Sequence, residues 1–167
     1  MSFSIYTNPG PPVTFRPSGG GGTGTLVNFN IAALSASVGH LSAQFDLGVG
    51  PRPFLYEWRA KITLDNGVNI GENLILKVCS SDGSIADGTF STADQSVASI
   101  DLFRNLQFMG SLELDNPQTV TVLQGSGIVQ IYGRYVQLAI WNNTTTNIKS
   151  TTSASKVILT PVPDYGI

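Results

Sequence analysis

Charge is scarce in this chain. Of its 167 residues, 12 % are Asp, Glu, Lys or Arg, against about 25 % in an average soluble domain. Nine Lys and Arg against eleven Asp and Glu give a net charge of −2, with no basic cluster to follow a phosphate backbone, so a nucleic-acid binder is excluded. Histidine and cysteine occur once each. A lone His40 cannot build a histidine metal site. A lone Cys79 cannot close an internal disulfide, so the fold must suit a reducing compartment or be indifferent to redox state. No apolar run approaches the ~20 residues of a membrane helix. The start, Met1-Ser2-Phe3-Ser4-Ile5-Tyr6, lacks the basic and apolar regions of a secretory signal.

Ser, Thr, Asn, Gln and Gly take the place of the missing charge. Charge keeps domains apart in solution, so a polar but barely charged surface suits permanent assembly better than a free monomer. A chain of this length reads as one domain with a tail, and it removes roughly 70 % of its unfolded surface from water without help from metal or disulfide.

Residues 1–24 differ from the rest. Pro9, Pro11, Pro12 and Pro17 fix φ and remove donors, and Gly19 to Gly22 carry almost no conformational preference. The segment is expected to be an extended arm reaching up to ~80 Å at about 3.3 Å per residue. Its large side chains want a surface to lie on, either their own domain or a neighbour. Phe3, Ile5, Tyr6, Val13, Phe15 and Arg16 are therefore the candidate partner-binding residues.

From Thr25 to the end, residues 25–167, the period is two. Tyr56, Trp58, Ala60, Ile62 and Leu64 alternate with Leu55, Glu57, Arg59, Lys61 and Thr63, a strand with one buried and one wet face. Asp65-Asn66-Gly67 then reads as a hairpin-type turn. Further strands are expected over Thr25 to Ile31, Leu41 to Leu47, Leu74 to Cys79, Leu106 to Leu114, Thr119 to Leu123, Gly127 to Tyr132, Arg134 to Trp141 and Lys156 to Thr160. Turn residues separate them, including Asp82-Gly83, Gly125-Ser126-Gly127 and Asn142-Asn143. Helix is confined to one turn near Val97 to Asn105. Many short strands with such turns predict an all-β fold, an antiparallel β-sandwich of the jelly-roll kind carrying the N-terminal arm.

No catalytic set stands out. His40 lies between Val38-Gly39 and a strand, where a loop or edge role is ordinary, and no G-x-S-x-G nucleophile elbow occurs. Asp82, Asp87 and Asp94 share a Gly- and Ser-rich region, but their spacing is not that of an EF-hand, and Asp is a common turn residue. Glu57, Glu72 and Glu113 are the only glutamates. Glu57 sits on a wet strand face beside Arg59 and Lys61, where an ion pair is the ordinary outcome. Gly19 to Thr25 lacks the Gly-Lys-Ser/Thr ending of a phosphate loop. Trp58 and Trp141 occupy alternating strand positions and are expected in the core, although a lectin would expose one as a stacking platform. No catalytic residue, metal ligand or cofactor is assigned.

One stretch points to a family. Arg134-Tyr135-Val136-Gln137-Leu138-Ala139-Ile140-Trp141-Asn142-Asn143, followed by Ser155-Lys156-Val157-Ile158-Leu159-Thr160-Pro161-Val162-Pro163-Asp164, resembles the C-terminal part of small cement or decoration proteins of tailed bacteriophages. The resemblance implies a non-catalytic sandwich on the capsid exterior, made in the host cytoplasm and binding the major capsid protein. It also implies self-association, as a trimer or another oligomer around a local axis of the shell. Low charge and a sticky arm agree with that. The main alternative is a carbohydrate- or receptor-binding sandwich of a tail fibre, and a hydrolase is third.

Overall fold

The computed structural model describes residues 10–17, 25–49, 53–84, 92–113, 122–151 and 155–163. Its strands are β1 (Val13–Arg16), β2 (Thr25–Asn28), β3 (Gly39–Leu41), β4 (Phe45–Asp46), β5 (Leu55–Thr63), β6 (Asn73–Ser81), β7 (Gln95–Val97), β8 (Gln107–Glu113), β9 (Val122–Gln130), β10 (Tyr135–Asn143) and β11 (Lys156–Pro161). They form a β-sandwich. A five-stranded sheet has the order β2-β1-β11-β5-β9, and a six-stranded sheet has the order β7-β3-β10-β6-β8, with β4 added to β10. Neighbours run antiparallel except β1 and β2, which are parallel.

The two-residue period explains the layers. On β5, Tyr56, Trp58, Ala60 and Ile62 are buried, while Arg59 and Lys61 are exposed and Arg59 pairs with Glu57 at 2.9 Å. The buried set joins Leu76 and Val78 of β6, Leu138 and Ile140 of β10, and Val157 and Leu159 of β11 in one core between the sheets. Each such side chain contributes about 1.5–3 kcal/mol through burial. Trp58 occupies the seam beside β8 and β9. A Cβ on Gly110 would lie 2.4 Å from its ring and one on Gly127 2.8 Å, while one on Gly125 would strike Leu112 at 2.5 Å. The glycines make room for the indole.

A second, smaller cluster lies on the other face of the six-stranded sheet, where Cys79, Ala139 and Trp141 pack with Leu41, Val97, Phe103 and Leu106. It is closed by a short 3₁₀ helix, Ile100–Phe103, capped by Ser99, whose hydroxyl accepts from Asp101 N at 3.3 Å. Phe103 meets Trp141 edge-on at 6.1 Å, and Lys77 Nζ donates to the Phe103 carbonyl at 2.6 Å. Both tryptophans are thus buried as expected, at 3 % and 7 % exposure, but in different clusters. In this helical turn and just after it, Phe103 and Leu106 are inward and Ile100 is exposed.

Several expectations need correction. The arm does not extend to residue 24: Val13, Phe15 and Arg16 are buried in β1, paired on both sides by β2 and β11. The prolines before this segment suit an extended arm, whereas its own Val-Thr-Phe-Arg alternation is strand-like. Gly125-Ser126-Gly127 is not a turn but the middle of β9, which merges two expected strands. Asp65-Asn66-Gly67 is no hairpin, because β5 and β6 belong to different sheets. Leu41 to Leu47 is split into β3 and β4, and Asn142-Asn143 ends β10. Phe3, Ile5, Tyr6, Gly19 to Gly22 and Asp87 lie outside the described residues.

The Trp58 seam yields a first test. Gly110→Ala forces a methyl into the indole and should cost about 1–3 kcal/mol, as overpacking does. Trp58→Ala should cost about 3–5 kcal/mol. Denaturant midpoints of the two single variants measure both losses. Deleting residues 1–9 should leave the fold intact, while deletion through Arg16 removes a paired strand and should abolish the cooperative transition.

Candidate functional site

The main concentration of polar chemistry lies where β3, β7 and the end of β2 meet. Cross-strand register sets His40 opposite Ser96. His40 is buried, and its Nε2 lies 2.9 Å from Asp94 Oδ1. Ser96 Oγ lies 3.4 Å from Nδ1 on the other side of the ring. Asp94 also accepts from the Asn30 backbone N–H at 2.9 Å and from Asn28 Nδ2 at 3.2 Å. Phe29 packs against the imidazole at 6.0 Å between centroids.

With Nε2 donating to Asp94, Nδ1 is an acceptor for the Ser96 hydroxyl, so the order is that of a serine–histidine–carboxylate relay. The context differs from one. Ser96 stands on a three-residue edge strand as an ordinary cross-strand partner, not on the sharp elbow that exposes a nucleophile. Asp94 Oδ1 binds both His40 of the six-stranded sheet and the Asn30 N–H beyond β2 of the five-stranded sheet, while Oδ2 accepts from Asn28 at the end of β2. Those bonds make it a clasp between the two layers.

A second polar knot ties the end of β10. The buried Asn142 side chain donates to the carbonyls of Leu34, Ser35 and Thr146 at 3.2, 3.1 and 2.9 Å, and its Oδ1 accepts from Thr144 Oγ1 at 2.7 Å. Arg134 grips Asp46 through Nε at 2.8 Å and so pins β4 against β10. The Asp46 hydrogen bond holds the Arg134 guanidinium above its ordinary pKa. Both arrangements are structural.

The remaining candidates scatter. Asp82 accepts from Ser84 N at 2.8 Å, closing an Asx-type turn. Among the described residues no group of three His, Cys, Asp or Glu side chains could hold a metal ion. Val13, Phe15 and Arg16 belong to the sandwich rather than to a docking arm. Large apolar side chains are nevertheless exposed elsewhere: Ile128 at 59 % and Tyr132 at 68 % at one edge of the five-stranded sheet, and Phe108 at 60 % on β8. Phe54 stacks on Tyr132 with ring planes 6° apart. No protein-family model matches the chain, and no curated protein matches it either.

Sequence reasoning missed the clasp because His40 and Asp94 are 54 residues apart, and no local spacing reports such a pair. Asp94→Ala should leave the His40 ring and the Asn30 N–H without their acceptor and cost about 1–3 kcal/mol. Ser96→Ala removes only the long, part-buried contact at 3.4 Å and should cost less, within about 0.5 kcal/mol. Thermal unfolding of the two variants separates these roles.

Proposed function

We propose that this chain is a non-catalytic structural protein of a virion, a cement or decoration sandwich on the exterior of a tailed-phage capsid. The observation that carries this is the pairing of sparse charge with large exposed apolar groups, Phe108, Ile128 and Tyr132, on the margins of a closed sandwich. A free monomer gains nothing from such groups, whereas a lattice protein buries them. The relay-like His40 cluster is better accounted for as an interlayer clasp, which supports the absence of catalysis.

The family resemblance falls on β10 and β11. Each is paired on both sides within its sheet, so the likeness lies in the scaffold. We also read the winding as a jelly roll. Leaving aside β2, β4 and β7, eight strands remain, and numbered in chain order they lie 1-8-3-6 in one sheet and 2-7-4-5 in the other. That interleaving supports the jelly-roll reading, a fold used by capsid and lectin domains alike.

Partners on this reading are the major capsid protein and further copies of the chain. The alternative, a glycan- or receptor-binding tail component, loses its tryptophan platforms, since Trp58 and Trp141 are buried. It retains the exposed Phe54–Tyr132 stack.

Mass spectrometry of particles purified from cells producing the virus tests the proposal. Copies on the order of hundreds per particle are expected from a repeating shell, and absence from the head overturns it. Binding on a glycan array that is lost in Tyr132→Ala favours the alternative. Apolar and backbone contacts are weakly screened, so occupancy should change little up to ~1 M salt, where the Debye length is about 3 Å. Release by salt alone contradicts an apolar interface.

A further inference from the structure

Each sheet ends in two edge strands, whose unpaired backbone can accept any strand that reaches it. Three of these edges are blunted. β2 has four residues and β7 three, and the Asp94 clasp ties the end of β2 to His40 beside β7. β8 is longer, but its register with β6 slips between Leu76 and Lys77, and it ends in Glu113.

β9 has none of these protections. It runs nine residues, Val-Leu-Gln-Gly-Ser-Gly-Ile-Val-Gln, without proline or charge. Its ladder to β5 is unbroken from Leu55 opposite Gln130 to Thr63 opposite Val122. No strand pairs with its other side among the described residues. Gln124, Ser126, Ile128 and Gln130 are exposed along it. The glycines that soften this strand are retained for Trp58, whose ring a Cβ on Gly127 would strike.

We propose that β9 is the self-association edge of this protein: β9 of a second copy pairs with it antiparallel about a two-fold axis, making one continuous sheet from two five-stranded ones. The inference rests on the assembly reading above and names the surface it uses. A second copy fits because an isologous contact needs only a self-complementary strand, and an uncharged strand brings no like charges together across the axis. Centred on Ser126, the register sets Gln124 of one copy against Ile128 of the other, and Val122 against Gln130. Nine residues at about 3.3 Å each give a ladder of roughly 30 Å. The exposed Ile128 is covered in the process.

Sedimentation equilibrium of the full chain tests this with Ser126→Lys and Ser126→Glu. At about 100 µM, where even micromolar affinity leaves the dimer dominant, the wild type should be dimeric or an even multiple. Each variant places like charges opposite one another and should dissociate about tenfold or more weaker, and an equal mixture of the two should recover association. A monomeric wild type, unaffected variants, or no recovery on mixing overturns the proposal. Concentration-dependent slowing of amide exchange within β9 of the wild type gives a second readout should either variant fold poorly, and its absence also overturns the pairing. Dimers from a protein absent from virions count against the capsid reading alone; virion copies of a protein monomeric in solution count against the edge alone.

Discussion

The indole of Trp58 fixes the distance between the two sheets at the β8–β9 seam. A ring of this size between packed layers demands that something opposite it be missing, and here the missing groups are the side chains of Gly110 on β8 and Gly127 on β9. Its N–H has no hydrogen-bond partner among the described residues, so the ring is held by shape. A buried donor left in that state costs about 1–3 kcal/mol. The close packing must offset that cost, which is why a methyl on either glycine has nowhere to go.

The opposite margin is closed by different physics. Between β2 and β7 the Phe29 ring meets the His40 imidazole across the layers, and Asp94 ties them with three hydrogen bonds, from His40, Asn28 and Asn30. A shape constraint at one edge and a polar clasp at the other leave the two margins unlike. The clasp ties down short strands that have little backbone to offer. The seam retains a long strand whose composition was chosen for the indole, and its open side is a consequence.

Much of this was legible in the sequence. The strict alternation through Tyr56, Trp58, Ala60 and Ile62 announces β5 and its buried face, and β11 follows the same rule, whereas β10 is buried on both faces, with Ala139 and Trp141 in the second cluster. What was hidden has a common cause: a residue's local preference was overridden by a distant neighbour. Gly125-Ser126-Gly127 looks like a turn until Trp58 is placed against it. Val13 to Arg16 looks like arm until β11 and β2 flank it. His40 looks like a loop residue until Asp94 arrives from far along the chain. The exposed apolar residues could not be told from core ones, because Ile128 continues the same strand chemistry as the buried Val129.

Low charge acquires a structural meaning at β9. Natural sandwiches keep long edges apart with lysine, proline or a bulge, and nine basic residues in the chain would have sufficed to place one there. Glu57, Arg59 and Lys61 stand one strand away on β5, with Arg59 opposite Ser126. Charge is therefore present beside the edge but not on it. A partner strand arriving at β9, as proposed, would meet backbone and uncharged side chains first, and the charged row lies behind, where it would hold solvent over the new sheet without opposing the contact.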